Sequence, residues 1–469
     1  MHTTTVEKII TSKLAETFNR LIGKENVLYK TEDRICYAYD GSKQRYIPDI
    51  VLQPRSAQHV SNILEFANKH EIPVCPRGAG SGLTGGAVPV KGGIVLDFSK
   101  MNQIIEIIPE DLTATVEPGV TTQTLQIEVA KYKLFYPPDP ASAAFSTIGG
   151  NVAECSGGIT GLKYGVIRDY ILSLEVVLAD GRIIHTGRKT LKSVTGYDLT
   201  RLFIGSEGTL GVFTKITVKL IPLPERIETL LVFFSTPQDA VKTANIIISN
   251  NILPRALEFI DKLSTDCIKG YKQEIQIPEE VNAILLIDID GNEEAVKKEM
   301  SIVEKIIAEN NPLRIIPAKS LNERDTLWEV RRAISPALYN IAPFKINEDI
   351  CVPRSKILEI LQRIAYINKK YPFLKIANFG HIGDGNIHVN IMYGNETRHG
   401  AEAKKMIEEI LRNVVELGGT ISGEHGIGNV KSEFLSLEIP PSELQIMKDI
   451  KRLLDPKGIL NPGKMFCQI

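Results

Sequence analysis

Between residues 48 and 86 the hydrophobic rhythm of the chain changes three times. "DIVLQP" is a short apolar run of strand length. "SAQHVSNILEFANKH" then sets Val60, Ile63, Leu64 and Ala67 at three- and four-residue spacing, which predicts an amphipathic helix. "IPVCPR" returns to strand and runs into a loop carrying Gly78, Gly80, Gly82, Gly85 and Gly86. "GGIVLDFSKM", "IIEIIPEDLTATVEPGV", "LEVVLADGRIIHTG" and "GVFTKITVKLIPLP" alternate as strands with turn punctuation. "TTQTLQIEVAKYK" and the N-terminal "MHTTTVEKIITSKLAETF" read as helices. The first 222 residues are therefore expected to be α+β and rich in glycine.

The two prolines of "IPLPE" (221–225) mark a junction. Beyond it, "ETLLVFFSTPQDAVKTANIIISN" and "VNAILLIDIDGNEEAVKKEMSIVEKIIAEN" each couple a hydrophobic strand to an amphipathic helix. That pattern predicts a ferredoxin-like antiparallel sheet with helices on one face. A helical C-terminal segment ends in "DPKGILNPGKMF".

Composition narrows the function classes. A chain of 469 residues is too long for one core, so two or three domains are expected. A net charge of −1 gives no polyanion-binding surface, which argues against a nucleic-acid partner. No stretch reaches the roughly 20 apolar residues of a membrane helix, so no membrane span is expected. Cys36, Cys75, Cys155, Cys267, Cys351 and Cys467 stand singly with no CxxC spacing. They are expected to be buried free thiols in a reducing cytoplasm, not ligands of an iron–sulfur cluster or a zinc knuckle.

The loop "PRGAGSGLTGG" alone is weak evidence of a ligand. It lacks the Gly-Lys-Ser/Thr of a phosphate-binding Walker loop and the strand–loop–long-helix context of a dinucleotide fingerprint. Two more small-residue segments change the picture: "YPPDPASAAFSTIGGNVAECSGG" and "LFIGSEGTLGV". Three such segments in one domain suggest several backbones closing on one large flat ligand. Thr147, Asn151, Ser156, Glu207 and Thr209 would supply hydrogen bonds.

Towards the C-terminus, "KIANFGHIGDGNIHVNIM" reads as a hairpin turning at "GDGN", which brings His381 near His388. Asn390 follows His388 by two and shares its face. Glu424 of "SGEHGIG" can add a carboxylate, and on an extended backbone its neighbour His425 would point away. Two imidazoles and a carboxylate suit a divalent metal; a hairpin with solvated histidines fits the same residues. In "DTLWEVRRAISPALYNIAPFKINEDICVP", Arg331 and Arg332 are read at the start of a helical segment. They are either surface charge or a fork for a carboxylate.

The segments "PRGAGSGLTGG", "PPDPASAAFSTIGGNVAECSGG", "KYGVIRDYILSLEVVLADG" and "GSEGTLGV", in this order, resemble the FAD-binding domain of the vanillyl-alcohol oxidase (PCMH) type. Over its full length the chain resembles the glycolate oxidase large subunit and D-lactate dehydrogenase branch, relatives of D-2-hydroxyglutarate dehydrogenase. The resemblance implies an FAD domain of two subdomains (1–222), a substrate-binding cap (223–425) and a terminal segment (426–469) returning to the FAD domain. It implies an FAD site of Pro76, Arg77, Gly78, Ala79, Gly80, Ser81, Gly82, Leu83, Thr84, Gly85 and Gly86. Pro138, Asp139, Ser142, Thr147, Gly149, Gly150, Asn151, Ser156, Gly157, Glu207, Gly208, Leu210 and Asn461 complete it. Relatives with covalent flavin carry a histidine near Ser81; none stands here, so the FAD is expected to be dissociable.

The same resemblance implies a divalent metal (zinc, iron or manganese) on His381, His388 and Glu424, with His425 as base. Asn390 is a substrate or metal-side contact, Ser335 a polar contact, and Arg331 with, across a one-residue gap, Lys345 would hold the substrate carboxylate. The implied activity is dehydrogenation of a small D-2-hydroxy acid, D-lactate or glycolate. Electrons would leave to an electron-transferring flavoprotein, an iron–sulfur subunit or a quinone, a protein partner being favoured, and a homo-oligomer is compatible. A metal-dependent hydrolase and a non-catalytic flavin subunit are the competing readings. The first leaves three glycine segments unexplained; the second does not need the full histidine motif.

Overall fold

The computed structural model describes residues 2–269 and 275–466. It divides into two compact units: Met1–Gly157 with Val166–Leu223 and Glu424–Ile469, and Gly158–Gly165 with Pro224–Gly423.

In the first unit, β1 (Val27–Leu28), β2 (Ile50–Leu52), β3 (Val74–Arg77) and β4 (Ile94–Asp97) form a sheet in the order β1-β2-β4-β3. Strands β2, β4 and β3 are parallel. Parallel neighbours need crossovers. The first is the helix Ala57–His70, capped by Ser56 and burying Val60, Ile63, Leu64 and Ala67. The second, from β3 to β4, is the glycine-rich loop itself, which contains no helix. The C-terminal segment lies along β3, where Val74 N donates to Ile459 O and Asn461 N to Val74 O, at 2.8 and 2.7 Å.

The other strands of this unit are β5 (Ile104–Ile108), β6 (Thr113–Val116), β7 (Leu134–Phe135), β8 (Ile171–Val177), β9 (Ile183–Gly187), β10 (Val212–Lys219) and β11 (Ile221–Pro222). Five form an antiparallel sheet, β5-β6-β10-β8-β9, and β7 pairs with β11. The FAD-domain expectation of two subdomains is met by these two sheets.

In the second unit, β12 (Arg226–Phe234), β13 (Ala256–Asp261), β14 (Ala283–Gly291) and β15 (Pro312–Pro317) take the order β15-β12-β14-β13. That is the ferredoxin-like order, with helices Pro237–Ser249 and Glu293–Ala308 in the connections. Thr236 and Asn292 cap these helices. The sheet then continues through β17 (Lys375–His381) and β18 (Asn386–Tyr393) to β16 (Phe344–Cys351), all pairs being antiparallel.

The structure differs from the sequence reading at two places. Gly158–Gly165 belongs to the second unit and Glu424–His425 to the first. The first difference has a side-chain cause. Lys163 Nζ and Tyr164 Oη bind the buried Asp290 carboxylate at 2.7 and 2.9 Å, and Arg255 binds it at 2.9 Å. The cysteines also depart from expectation. Only Cys75 is buried, Cys36 is exposed, and Cys155, Cys267 and Cys351 lie between; Cys467 is outside the described residues. No helix among the described residues is long and apolar enough to cross a membrane.

Candidate active site

The three small-residue segments of the first unit converge. A Cβ on Gly78 would fall 2.2 Å from Thr147 Oγ1, and one on Gly208 would fall 3.2 Å from Pro76. The Glu154 carboxyl lies between segments, its Oε1 2.5 Å from where a Gly86 Cβ would stand and its Oε2 2.4 Å from that of Gly426. Gly82 has more room, the nearest atom to its Cβ position being Glu154 Oε1 at 3.9 Å, whereas a Cβ on Gly150 would meet Thr147 Oγ1 at 3.3 Å. Buried around these segments are Ser156 Oγ, Tyr136 Oη and Glu154 Oε2, none with a hydrogen-bond partner. A glycine-walled cradle with orphaned polar atoms fits a flat ligand with ring heteroatoms.

Several expected cofactor residues do structural work. Arg77 donates to Tyr39 O and Ala87 O at 2.9 and 3.3 Å, bracing the glycine loop. Thr147 caps the helix Ile148–Glu154, and Asn151 donates to Thr122 Oγ1 at 2.6 Å. Glu207 accepts from Ile427 N and Gly428 N at 2.7 Å each. Asn461 ties Gly86 O to Glu207 O. Thr84 donates to His425 O at 3.3 Å. Gln126 bonds Pro138 O at 3.1 Å. Pro76, Gly80, Ser81, Asp139 and Ser142 are half-buried, Leu210, Gly85 and Gly157 buried, and Ala79 exposed.

Sequence reasoning missed Glu154. Burial pushes its carboxyl well above the usual carboxylate range, with Glu207 and Asp40 adding to the effect and Lys464 opposing it. The Glu207 carboxyl is raised by burial against its two backbone N–H bonds.

In the second unit the hairpin expected at "GHIGDGNIH" is β17–β18, with Phe379 opposite His388. Gly385, at φ +90°, makes its turn, and a Cβ there would stand 2.0 Å from Val352 O. The His381 and His388 rings lie 5.2 Å apart at 86°. Each imidazole has a carboxylate as its cross-strand partner: Glu258 on β13 opposite His381, and Asp349 on β16 opposite His388. Glu258 Oε1 is 2.5 Å from His381 Nδ1, and Asp349 Oδ1 is 3.5 Å from His388 Nδ1. Four adjacent strands thus carry an acid–imidazole–imidazole–acid row, fully or nearly buried. The carboxylate at His381 Nδ1 leaves that ring's Nε2 as the coordinating nitrogen, the usual outer arrangement of a metal-ligating histidine, while Asp349 stands at ion-pair distance from His388 Nδ1. The donor set fits a divalent ion of the zinc, iron or manganese kind.

Arg331 and Arg332 end the helix Leu321–Arg332 instead of starting one. Ser320, its N-cap, lies upstream of the stretch on which the start was read. Arg331 Nε bonds Glu258 Oε2 at 2.6 Å, and its guanidinium sits 4.5 Å from the Phe379 ring centroid. Burial would raise the Glu258 carboxyl, but His381 and Arg331 outweigh it and hold it at about 2. Arg332 is exposed and pairs with Glu329. Lys345 and Ser335 come together, Nζ to Oγ at 2.9 Å. Asn390 is buried beside His388 and accepts from Asn347 at 2.9 Å.

In the first unit His425 Nε2 is 3.8 Å from Glu424 Oε1, so the two do not point apart as expected. Residues 423–425 are bent, and Gly426 has φ +87°, so strand alternation does not apply. Glu258 and Asp349 went unnoticed in the sequence. An acid inside "ALEFI" and one alternating with Asn347 in "INEDI" were the available signals.

Among solved structures the fold matches p-cresol methylhydroxylase with a TM-score of 0.78 at 20% identity, covering 97% of each chain. The architecture is therefore of the PCMH type. Residues 48–187 match the FAD binding domain model and residues 223–465 the FAD linked oxidases, C-terminal domain. Glycolate oxidase subunit GlcD of Bacillus subtilis is 44% identical over 462 residues, covering 98% of both chains. D-lactate dehydrogenase of Archaeoglobus fulgidus is 39% identical over 419 residues, covering 89% of this chain and 91% of that one. The chain belongs to the FAD-linked oxidases of the D-2-hydroxyacid dehydrogenase family, and it binds FAD.

Proposed function

We propose that the chain dehydrogenates a small D-2-hydroxy acid, D-lactate or glycolate, to the 2-oxo acid. The observation that carries this reading is the acid-braced imidazole pair of β17 and β18 within an FAD-linked oxidase. Relatives named glycolate oxidase subunit and D-lactate dehydrogenase support the substrate class.

Arg331 offers the terminal amino groups of its guanidinium to the substrate carboxylate while Glu258 holds its Nε edge. Lys345, hydrogen-bonded to Ser335, adds a second cation, and Asn390 a polar contact. His381, His388 and Glu424 would hold a divalent ion, whose contribution there would be Lewis acidity at the substrate hydroxyl. His425 removes the hydroxyl proton. The glycine segments would hold FAD without a covalent bond, and its N5 would supply the hydride acceptor. The Cα–H leaves as hydride, the O–H as proton, and the carbon–oxygen double bond forms. We further assign the reduced flavin's electrons to a protein acceptor in the cytoplasm, an electron-transferring flavoprotein or an iron–sulfur subunit. The word "subunit" in the GlcD name supports such a partner.

An anaerobic visible spectrum of the purified protein tests the reading. D-lactate or glycolate should bleach the flavin and L-lactate should not, while His425→Ala should keep the spectrum and lose the bleaching. A flavin indifferent to all three acids would overturn the substrate class.

A further inference from the structure

Glu258 spends both carboxylate oxygens on two residues to which the proposed reaction gives different tasks. Oε1 meets His381 Nδ1 at 2.5 Å and Oε2 meets Arg331 Nε at 2.6 Å. The side chain has no solvent exposure. It reaches both because β13 pairs with β17 in a register that puts Glu258 directly opposite His381. The same residues close a circuit. The Arg331 guanidinium packs 4.5 Å from the Phe379 ring centroid, and that ring lies 5.6 Å from His388, whose own ring faces His381 at 5.2 Å. One carboxylate therefore sets the tautomer of an imidazole and the orientation of a guanidinium together.

We propose that Glu258 is a positioning residue that couples metal binding to recognition of the substrate carboxylate. It presents His381 Nε2 to the ion and turns the Arg331 fork towards the substrate. This inference rests on reading His381 as a ligand and Arg331 as the carboxylate anchor. A carboxylate bonded to a ligating histidine raises its basicity and fixes its ring, and loss of such a partner costs about 10–100-fold in metal affinity. A buried ion pair that serves only the fold would leave metal affinity and KM alone once the protein had folded.

The test uses full-length, FAD-loaded protein stripped of metal and titrated with Mn²⁺ by calorimetry, with KM and kcat for D-lactate measured alongside. In Glu258→Gln the amide oxygen accepts one of the two bonds and the other is lost. The variant should bind Mn²⁺ about 10–100-fold more weakly and raise KM more than it lowers kcat, with an unchanged flavin spectrum. Arg331→Lys, which keeps a cation but loses the Nε contact to Glu258 together with the fork, should also weaken Mn²⁺ binding several-fold although Arg331 is no ligand. Glu258→Asp should recover part of the affinity. If wild-type protein takes up no Mn²⁺, the metal reading itself fails. If wild type binds Mn²⁺ and both Glu258→Gln and Arg331→Lys bind it equally well, the coupling is refuted while the metal site stands.

Discussion

At the scale of single residues, the buried acids of the first unit carry a pH signature. Glu154 and Glu207 both approach the position of a Gly426 Cβ, at 2.4 and 3.0 Å. The nearby buried Lys464 donates to Val88 O, and burial pulls its ammonium down. Burial, then Glu207 and Asp40, raise Glu154, so the folded protein binds a proton there that the unfolded chain has released above about pH 4.3. The sign follows. The stabilising contribution is complete below the unfolded pKa and is lost as pH rises through the raised folded pKa. Glu154→Gln keeps the neutral shape at every pH. Denaturant midpoints of the FAD-loaded protein should therefore fall with rising pH in wild type and fall less in the variant. Parallel curves would show that Glu154 is ionised throughout.

At the scale of elements, the hairpin decides the imidazole pair. Gly385 stands at φ +90° with Val352 O 2.0 Å from any added Cβ, so Gly385→Ala must both strain the turn and push the β16 end aside. A cost of about 1–3 kcal/mol is expected, read as a lower melting temperature together with reduced metal content. A variant with a full metal complement would show that the turn does not position His381 and His388. This hairpin was legible because alternation and turn residues are local properties. The acids that brace it were not. Glu258 is 123 residues from His381, and only the order β13-β17-β18-β16 makes them neighbours. The ferredoxin-like half was legible from two strand–helix couples, whereas its extension by three strands depends on pairing between distant segments. Arg331 closes its helix instead of opening it because the capping Ser320 lies upstream of "DTLWEVRR".

At the scale of the whole chain, the sequence announced a junction at "IPLPE" but not the short excursion Gly158–Gly165. The ties of that segment to Asp290 come from residues 126 and 127 positions away. Metal removal and flavin loss have separate readouts. The glycine cradle is in the first unit and the imidazole pair in the second. The chain's one tryptophan, Trp328, is buried in the core of the second unit with its Nε1 bonded to Asp288 at 3.2 Å. Its emission therefore reports unfolding of that unit, while flavin absorbance reports the other. A ligand bound only to the folded state at a hundred times its Kd adds about 2.7 kcal/mol. Dialysis against a chelator should thus lower the midpoint of the Trp328 transition and abolish bleaching by D-lactate. The visible flavin spectrum should stay put, and Mn²⁺ or Zn²⁺ should restore both losses. Bleaching at the full rate by protein shown to be metal-free would remove the ion from the proposed reaction.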